Sequence, residues 1–364
     1  MNTIAICNSH IKDVLTDGVL EQFSIDGENI TIGLIDVPDI QYEKYFGSHS
    51  ILVRVKAFSC NFRDRGILHS FNDICKKKYD KNKLFFSPIG SEFVGIVERV
   101  GRDVRIFKIG DRVMPNHSYP YKSNGQFGGV ISNFASQRLQ MFNEAELVRV
   151  PDNMSDEEAA AFSLSAQTAY SMVRKANVQK GNNVLVTSCS SNTSLAVLEV
   201  LCNLDCNIYA ASTNARTIKE LLTDKDVQEI VDLRTLDGQK SALPPLDAVI
   251  DPFIDINLKY LIPYINYNAR YVYCGVYKQS LKYDYSNYTN LDSSEIYNLC
   301  LIKNSSLIGN CLGLPEDLWE ALKNYNEGKY HIHIDSIYSG NRIVDFFTRT
   351  FKEKHIGKVI YKYQ

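Results

Sequence analysis

The chain has 364 residues, of which 45% are apolar and 23% charged, and its 40 Lys and Arg nearly balance its 42 Asp and Glu. This length predicts two domains, and the composition is that of a folded chain in water rather than a disordered or membrane-spanning one. The net charge of -2 offers no overall basic field, so nucleic-acid binding is not expected.

The first 150 residues are predicted to fold as strands joined by turns. Residues 51–57 alternate apolar and polar side chains, and residues 93–100 form a β-branched run with one glycine. Turns at Gly101 and Gly110 follow, and no helical period separates these segments. Short strands at close spacing favour a compact, mostly β domain.

From residue 155 the pattern changes to alternating helices and strands. Ser155 is a typical helix N-cap, followed by an acidic first turn and three alanines. The sequence then predicts strand 183–187, helix 193–204, strand 207–212, helix 215–222, and strands 247–251 and 270–274. This βαβ rhythm is typical of a doubly wound parallel sheet. A helix at 316–326, a strand at 331–335 and a final helix and strand close the chain.

The nine cysteines are odd in number, and none are spaced as C-x-x-C. A disulfide framework or a thiolate zinc cluster is therefore not expected, and a reducing cytoplasm is favoured. The N-terminus lacks a basic flank followed by an apolar run, and no stretch of about 18 uncharged apolar residues occurs. Neither secretion nor membrane spanning is expected.

Three motifs appear in order along the chain: Gly-Asp-Arg-Val at 110–113, Thr-Ala-Tyr at 168–170 and Gly-Lys-Val at 357–359. With the β-rich first segment, they resemble the medium-chain dehydrogenase/reductase superfamily. Asn-Phe-Arg-Asp at 61–64, Gly-Ser-Glu at 90–92 and the stretch 157–170 look closest to its zinc-free quinone oxidoreductase and enoyl reductase branch.

The resemblance implies an α/β fold with two domains. A GroES-like β-rich catalytic domain would comprise residues 1–155 and 311–364, and a Rossmann doubly wound parallel-sheet domain that binds NADP(H) would comprise residues 156–310. The family places its substrate in the interdomain cleft beside the nicotinamide, and a homodimer is implied.

Zinc-dependent members of the superfamily use a Cys, a His and a Cys or carboxylate as catalytic ligands, and the resemblance puts Asn61, Ser91 and Leu164 in those places. An amide, a hydroxyl and an aliphatic side chain do not replace thiolate and imidazole, so no metal is expected. No Cys lies between Cys75 and Cys189, so the structural zinc lobe is absent too. Cys60, beside the first ligand position, is interpreted as a buried apolar side chain.

The expected glycine-rich cofactor turn has no glycine at residues 184–196. Two alternatives are open. Either the turn still binds phosphate through the helix N-terminus and the hydroxyls of Ser191, Thr193 and Ser194, with Asn192 tolerating positive φ, or nucleotide binding has been lost.

Residues 210–216 at the end of the second Rossmann strand contain no acid that would bind a ribose 2′-hydroxyl. Ser212, Thr213 and Arg216 suit a 2′-phosphate instead, so the predicted cofactor is NADPH, unless Arg216 is merely solvated. The resemblance adds Thr168, Gly275 beside the nicotinamide amide, and Lys358 as a residue that reaches the cofactor phosphates; Lys358 could equally be a surface lysine.

The candidate catalytic residues are Asn61, Asp64, His117, Tyr119 and Tyr121. Asn61 would orient nicotinamide or substrate, whereas Asp64 would act in the site or pair structurally with Arg63. The last three are candidate proton donors, or else packing and substrate contacts in a polar, aromatic loop. Glu92 is interpreted as a fold-stabilising carboxylate. His331 and His333 share a strand face, which alone is weak support for a metal site.

Without zinc there is no Lewis acid to polarise an alcohol or aldehyde, so an activated C=C bond is the more natural hydride acceptor. The leading hypothesis is an NADPH-dependent reductase of such a bond. The Ser-Ser-Asn-Thr-Ser turn also resembles the lanthipeptide dehydroamino-acid reductases, which act on dehydroalanine or dehydrobutyrine in a modified peptide. The alternatives are a quinone or carbonyl reductase and a non-catalytic homologue that acts as a binding protein.

Overall fold

The computed structural model describes residues 2–8, 18–37, 42–78, 85–223, 225–235, 243–277 and 293–364, which form two compact units. Unit 1 comprises Met1–Leu164 and Ile334–Gln364, and unit 2 comprises Ser165–His333. The α-helices of the described residues are α1 (Asp64–Lys77), α2 (Asp156–Ala176), α3 (Asn192–Leu201), α4 (Ala215–Leu221), α5 (Ile254–Leu261), α6 (Ser293–Lys303), α7 (Pro315–Asn326) and α8 (Ile343–Phe351). None of these helices is both long and apolar enough to cross a membrane.

Unit 1 contains two sheets in which nearly all neighbouring strands are antiparallel. The smaller sheet has, in spatial order, β2 (Gly18–Ile25), β3 (Glu28–Asp36), β1 (Asn2–Cys7) and β5 (Phe86–Pro88). The larger has β16 (Ile334–Tyr338), β17 (Lys358–Lys362), β4 (Ser50–Ser59), β6 (Glu92–Val100), β7 (Arg112–Pro115) and β9 (Leu147–Arg149), with β8 (Leu139–Asn143) also on β4. Because β17 pairs with β4, the end of the chain completes the sheet that its beginning forms.

Helix α8 helps to fill the core of unit 1. Ile343, Phe346 and Phe347 lie on one face of this helix, and all three are fully buried. The ring of Phe346 lies 5.3 Å from the ring of Phe58 on β4 in an edge-to-face contact. Each buried phenylalanine contributes roughly 2–3 kcal/mol to folding. The segment after residue 333 is therefore an integral part of the β-rich unit.

Unit 2 is built on a six-stranded sheet whose strands are all parallel. Its order is β12 (Val227–Val231), β11 (Asn207–Ala211), β10 (Asn183–Val186), β13 (Leu246–Asp251), β14 (Ile265–Tyr273) and β15 (Ser306–Gly309). In chain order within the unit this is 3-2-1-4-5-6, the doubly wound arrangement of dinucleotide-binding domains. The order reverses between β10 and β13, where such sheets bind their ligands.

The predicted fold class is confirmed, namely an α/β chain with a β-rich unit and a doubly wound parallel sheet. The structure divides the chain after residues 164 and 333, whereas the sequence placed divisions after 155 and 310. Helix α2 begins at Asp156, so the first division falls inside a helix, where the sequence gives no break.

The structure differs from the prediction in one helix that was missed and one strand that was misplaced. Helix α1 was not expected, because Gly66 and the buried polar residues His69 and Asn72 hide its apolar period. The strand predicted at 331–335 is found three residues later, at Ile334–Tyr338. The side chains of His331 and His333 are instead hydrogen bonded to Glu199, which removes these residues from the strand.

Candidate functional site

In unit 2, the turn without glycine leads from β10 into α3. Ser191 caps the helix, since its hydroxyl accepts a hydrogen bond from the Ser194 amide at 3.2 Å. Ser194 is buried, and its hydroxyl donates to the carbonyl of Thr187 at 2.6 Å. Asn192 and Thr193, the first two residues of the helix, are partly exposed. The first turn of α3 therefore remains open to a phosphate, with its helix dipole favouring an anion.

The same turn is tied to the end of the neighbouring strand. The hydroxyls of Ser190 and Ser212 lie 3.0 Å apart, and Ser212 also accepts a hydrogen bond from the amide of Asn214 at 3.1 Å. Thr213 and Arg216 are exposed beyond them. Hydroxyls and an arginine thus flank the ends of β10 and β11, the two strands beside which an adenosine ribose lies in this fold.

Arg216 has a weak partner in the structure. Its side chain is 93% exposed, and its Nε lies 3.4 Å from Oε1 of Glu220 one helical turn away. Exposed pairs of this kind contribute little to stability, so the guanidinium could exchange Glu220 for a phosphate at small cost.

The other predicted nucleotide contacts belong to other elements. Thr168 is buried within α2, and Gly275 follows the carboxyl end of β14. Lys358 belongs to unit 1, where its ammonium is held by the side chains described next. That engagement argues against its expected role at the cofactor phosphates, and it is not a surface lysine, since it is 2% exposed.

In unit 1, a buried polar network joins three chain segments. The ammonium of Lys358 on β17 donates to Oε2 of Glu92 on β6 and to Oδ1 of Asn61, the latter at 2.6 Å. Asn61 Nδ2 donates to Ser91 Oγ at 2.9 Å and to Glu92 Oε2 at 3.1 Å. Both donor hydrogens and the oxygen of the Asn61 amide are thus used inside the protein. Its contacts do not support direct orientation of a substrate.

The network continues through Ser91 to Asp64. Ser91 Oγ donates to Asp64 Oδ2 at 2.6 Å, and Arg63 Nη1 donates to Asp64 Oδ1 at 3.1 Å. Asp64 is fully buried, whereas the Arg63 side chain is 35% exposed and also contacts Asn133 at 3.0 Å. Asp64 therefore anchors the partly exposed Arg63 guanidinium, as the ion-pair alternative predicts.

The two buried carboxyl groups of this network have pKa values shifted in opposite directions. Burial raises the pKa of Glu92, but the Lys358 ammonium outweighs it and leaves that pKa below its usual value. Burial raises the pKa of Asp64 above its ordinary value, although Arg63 and Ser91 oppose the change. Glu92 and Lys358 thus form an ionised pair, and the interior of unit 1 holds no unpaired charge at this point.

The three candidate proton donors lie in the segment after β7. His117 is fully buried, and its Nδ1 accepts from the Ile131 amide at 3.5 Å. Burial lowers the pKa of His117 to about 4, so it is neutral at pH 7 and a poor acid. Tyr119 packs edge-to-face on Phe127, and Tyr121 is 59% exposed. No hydrogen bond in the described part of the structure joins either tyrosine to the Lys358 network.

The three residues that the resemblance assigns to the catalytic metal-ligand positions, Asn61, Ser91 and Leu164, lie together in unit 1, and their side chains do not suit a zinc ion. Asn61 is hydrogen bonded to Ser91, and Leu164 contributes only its backbone amide, which donates to Glu92 Oε1 at 2.7 Å. The described residues contain no group of three or more His, Cys, Asp or Glu side chains that could hold a metal ion. Amide and hydroxyl donors are poor zinc ligands.

Sequence reasoning identified most members of this network but not their use. Ser91 and Glu92 were singled out only as a lost ligand and a structural carboxylate. The burial of a lysine from the last strand was not visible, because 265 residues separate Lys358 from its partner Glu92 along the chain. A Gly-Lys-Val motif that begins a buried terminal strand was the one available signal.

The chain is similar to several known proteins. Residues 47–152 match the model of the alcohol dehydrogenase GroES-like domain. The chain is 28% identical to quinone oxidoreductase-like protein 2 of Rattus norvegicus, in an alignment that covers 85% of this chain and 84% of that protein. It is 23% identical to acryloyl-coenzyme A reductase of Sulfurisphaera tokodaii, over 87% of this chain and 93% of that protein. The structure of the enoyl reductase CurK is similar in fold, with a TM-score of 0.70, 18% identity and full coverage of both chains.

Proposed function

We propose that this chain, a member of the medium-chain dehydrogenase/reductase superfamily and an oxidoreductase, is an NADPH-dependent reductase of activated C=C bonds. Bound NADPH would supply a hydride to the β-carbon of the substrate. The proton for the α-carbon would come from Tyr119, Tyr121 or water, since His117 is neutral. A dehydroalanine or dehydrobutyrine residue in a modified peptide is one substrate of this class.

One observation carries the proposal: Asn61, Ser91 and the Leu164 amide, the residues that the resemblance assigns to the metal-ligand positions, are bound into a hydrogen-bonded network. With Asn61, Ser91 and Leu164 there, the enzyme has no Lewis acid for an isolated carbonyl. A conjugated alkene accepts hydride because its own carbonyl takes up the developing negative charge. Arg63 would be the cation that stabilises such a charge, since its side chain is 35% exposed and its Nε and Nη2 make no hydrogen bond among the described residues.

The choice of NADPH is supported by the residues around the turn. Ser190, Ser212, Thr213 and Arg216 offer hydroxyls and one cation where an NAD-specific site has an acid. Ser191, Asn192, Thr193 and Ser194 would hold the pyrophosphate at the start of α3.

The chain is proposed to work in a reducing cytoplasm, because all nine cysteines are free thiols.

The experiment is a steady-state assay of NADPH oxidation with chelator-treated protein whose metal content has been measured. The acceptors are a 2-enoyl thioester, a dehydroalanine peptide, a 1,4-quinone and an aldehyde. We expect protein that contains no metal to turn over an alkene. The kcat of Arg63→Met should be at least about tenfold lower than that of wild type, because a charge-stabilising donor is lost. Activity only after zinc is restored would contradict the proposal.

A quinone reductase is the second candidate, since a quinone also delocalises the charge of the added hydride without a metal. The similarity to a quinone oxidoreductase-like protein favours it. Turnover of the quinone but of no alkene would select this alternative. Cofactor binding without turnover of any acceptor would instead select the non-catalytic binding protein.

We also propose a homodimer formed through unit 2. Strand β15 is the edge of the six-stranded sheet, and α6, which precedes it, exposes Tyr297, Leu301 and Ile302. An edge strand that pairs with no further strand among the described residues, beside exposed apolar side chains, favours pairing with a second copy.

A further inference from the structure

A buried carboxyl lies beneath the turn that has no glycine. Asp251 is the last residue of β13, the strand next to β10, and it is fully buried. It therefore stands at the point where the strand order of the sheet reverses. Parallel sheets of this type bind ligands there, but neither the proposed chemistry nor the proposed cofactor contacts use Asp251.

Four groups donate hydrogen bonds to this carboxyl. Oδ1 accepts from Thr187 Oγ1 at 2.5 Å, from Asn257 Nδ2 at 2.8 Å and from the Phe253 amide at 2.8 Å. Oδ2 accepts from the Tyr271 hydroxyl at 2.5 Å. One side chain thus connects the end of β10, the start of α5 and the adjacent strand β14.

The network reaches the turn itself at two residues. Thr187 is the first residue after β10, and Ser188 follows with φ of 52°, a left-handed conformation that side chains disfavour. Asn257 Nδ2 reaches Ser188 Oγ at 3.3 Å as well as Asp251. In a glycine-rich turn such a conformation has no steric cost, whereas here surrounding contacts must hold it.

Within the described part of the chain, the Asp251 carboxylate has no ionic partner. The groups that contact Asp251 are two hydroxyls, one amide side chain and one backbone amide, none of them cationic. Burial raises the pKa of Asp251 above its ordinary value and raises that of Tyr271 well above 10. A group placed at such cost beside a ligand-binding edge is often there for function.

We infer that Asp251, with Asn257 and Tyr271, is a positioning network that holds the glycine-free turn in its nucleotide-binding conformation. The inference rests on the proposed function, because it assigns these residues to the same nucleotide site. They do not touch the nucleotide; they act through Thr187 and Ser188. The network takes the place of the conformational freedom that glycines provide in other members of this fold.

The test measures NADPH affinity by the change in nicotinamide fluorescence, at a temperature where far-UV circular dichroism shows each variant fully folded. Asp251→Ala removes the acceptor, Asp251→Asn keeps its shape and most of its hydrogen bonds, and Tyr271→Phe removes one donor. Asp247→Ala is the matched control. Asp247 lies near the other end of β13 and accepts from the Asn183 amide at 2.9 Å and from Asn266 Nδ2 at 2.8 Å.

We expect Asp251→Ala to weaken NADPH binding by at least about tenfold, as the loss of a supporting hydrogen-bond network does at other preorganised sites. Asp251→Asn should restore binding to within about threefold of wild type, and Asp247→Ala should leave it within the same range. If folded Asp251→Ala and Tyr271→Phe both bind NADPH like wild type, the inference is wrong while the proposed function stands. If wild type binds no nucleotide, both are wrong.

Discussion

Lys358 is buried in unit 1 against a carboxylate. Its ammonium pairs with Glu92, and both side chains are shielded from water. Such a pair stabilises little by itself, but removing one partner leaves an uncompensated charge in the interior. The pair also completes the hydrogen bonds of Asn61, so it fixes the amide of the residue that the resemblance assigns to the first metal-ligand position.

Lys358→Met is expected to lower the free energy of unfolding by about 3–5 kcal/mol, because Glu92 is then buried without its cation. The double variant Lys358→Met/Glu92→Gln should recover most of this loss. Lys362→Met is the control. Lys362 pairs with Glu157 at 2.7 Å, but its own side chain is 41% exposed. That change should cost less than about 1 kcal/mol. Urea denaturation measures the free energy of unfolding of each variant. An unchanged free energy of unfolding in Lys358→Met would refute the buried pair.

Arg216→Ala is expected to weaken NADPH binding about tenfold and to leave NADH binding unchanged, because only the former carries a 2′-phosphate. Isothermal titration calorimetry with both nucleotides measures the difference. Arg234→Ala is the control, as Arg234 is another exposed arginine of unit 2, paired with Asp232. Equal losses for NADPH and NADH would contradict a 2′-phosphate contact.

At the residue scale the sequence singled out residues of the Lys358 network but did not predict their contacts. Asn61 and Asp64 could be singled out because short motifs and their order along the chain are visible in the sequence. The roles of Lys358 and Asp251 depend on partners from distant segments. No local pattern shows that a lysine on a terminal strand is buried against Glu92.

Among the elements, the segment that precedes β16 is held by the helix α3. Glu199 on α3 is 1% exposed and accepts from His331 and His333 at 3.1 Å each and from Lys225 at 2.8 Å. Alternation alone predicts a strand at His331, but these bonds hold residues 331–333 against Glu199. Helix α1 was missed for a related reason, since its buried face includes polar residues whose partners lie elsewhere in the chain.

Glu199→Gln is expected to reduce stability at pH 7 and to flatten its dependence on acid. Burial opposes ionisation of Glu199, but His333, Lys225 and His331 together lower its pKa to about 2 from 4.5. The carboxylate therefore stabilises the fold fully above pH 4.5, by on the order of 2–3 kcal/mol, and this contribution is lost as the pH falls toward 2. Urea unfolding of wild type and Glu199→Gln from pH 7 to pH 3 measures this contribution. If the difference in free energy of unfolding between the two proteins did not change with pH, the prediction would be wrong.

At the scale of the whole molecule, the structure confirms the predicted fold. The fold could be predicted because strand and helix periods alternate plainly in the second half of the chain. Oligomeric state stays a prediction from the exposed side chains of α6. Leu301→Glu, at a side chain that is 76% exposed, should convert a species of twice the 41.3 kDa chain mass into the monomer. Light scattering coupled to size exclusion measures the mass, and a monomeric wild type would contradict the dimer.

The central claim is that a turn without glycine still binds NADPH in a chain without catalytic zinc. A thermal-shift titration of the chelator-treated protein with NADPH and NADH in parallel tests it most directly, because a bound ligand raises the melting temperature by mass action. We predict a concentration-dependent rise that is larger for NADPH than for NADH. No rise with either nucleotide would contradict the account and leave a binding protein that only shares the fold.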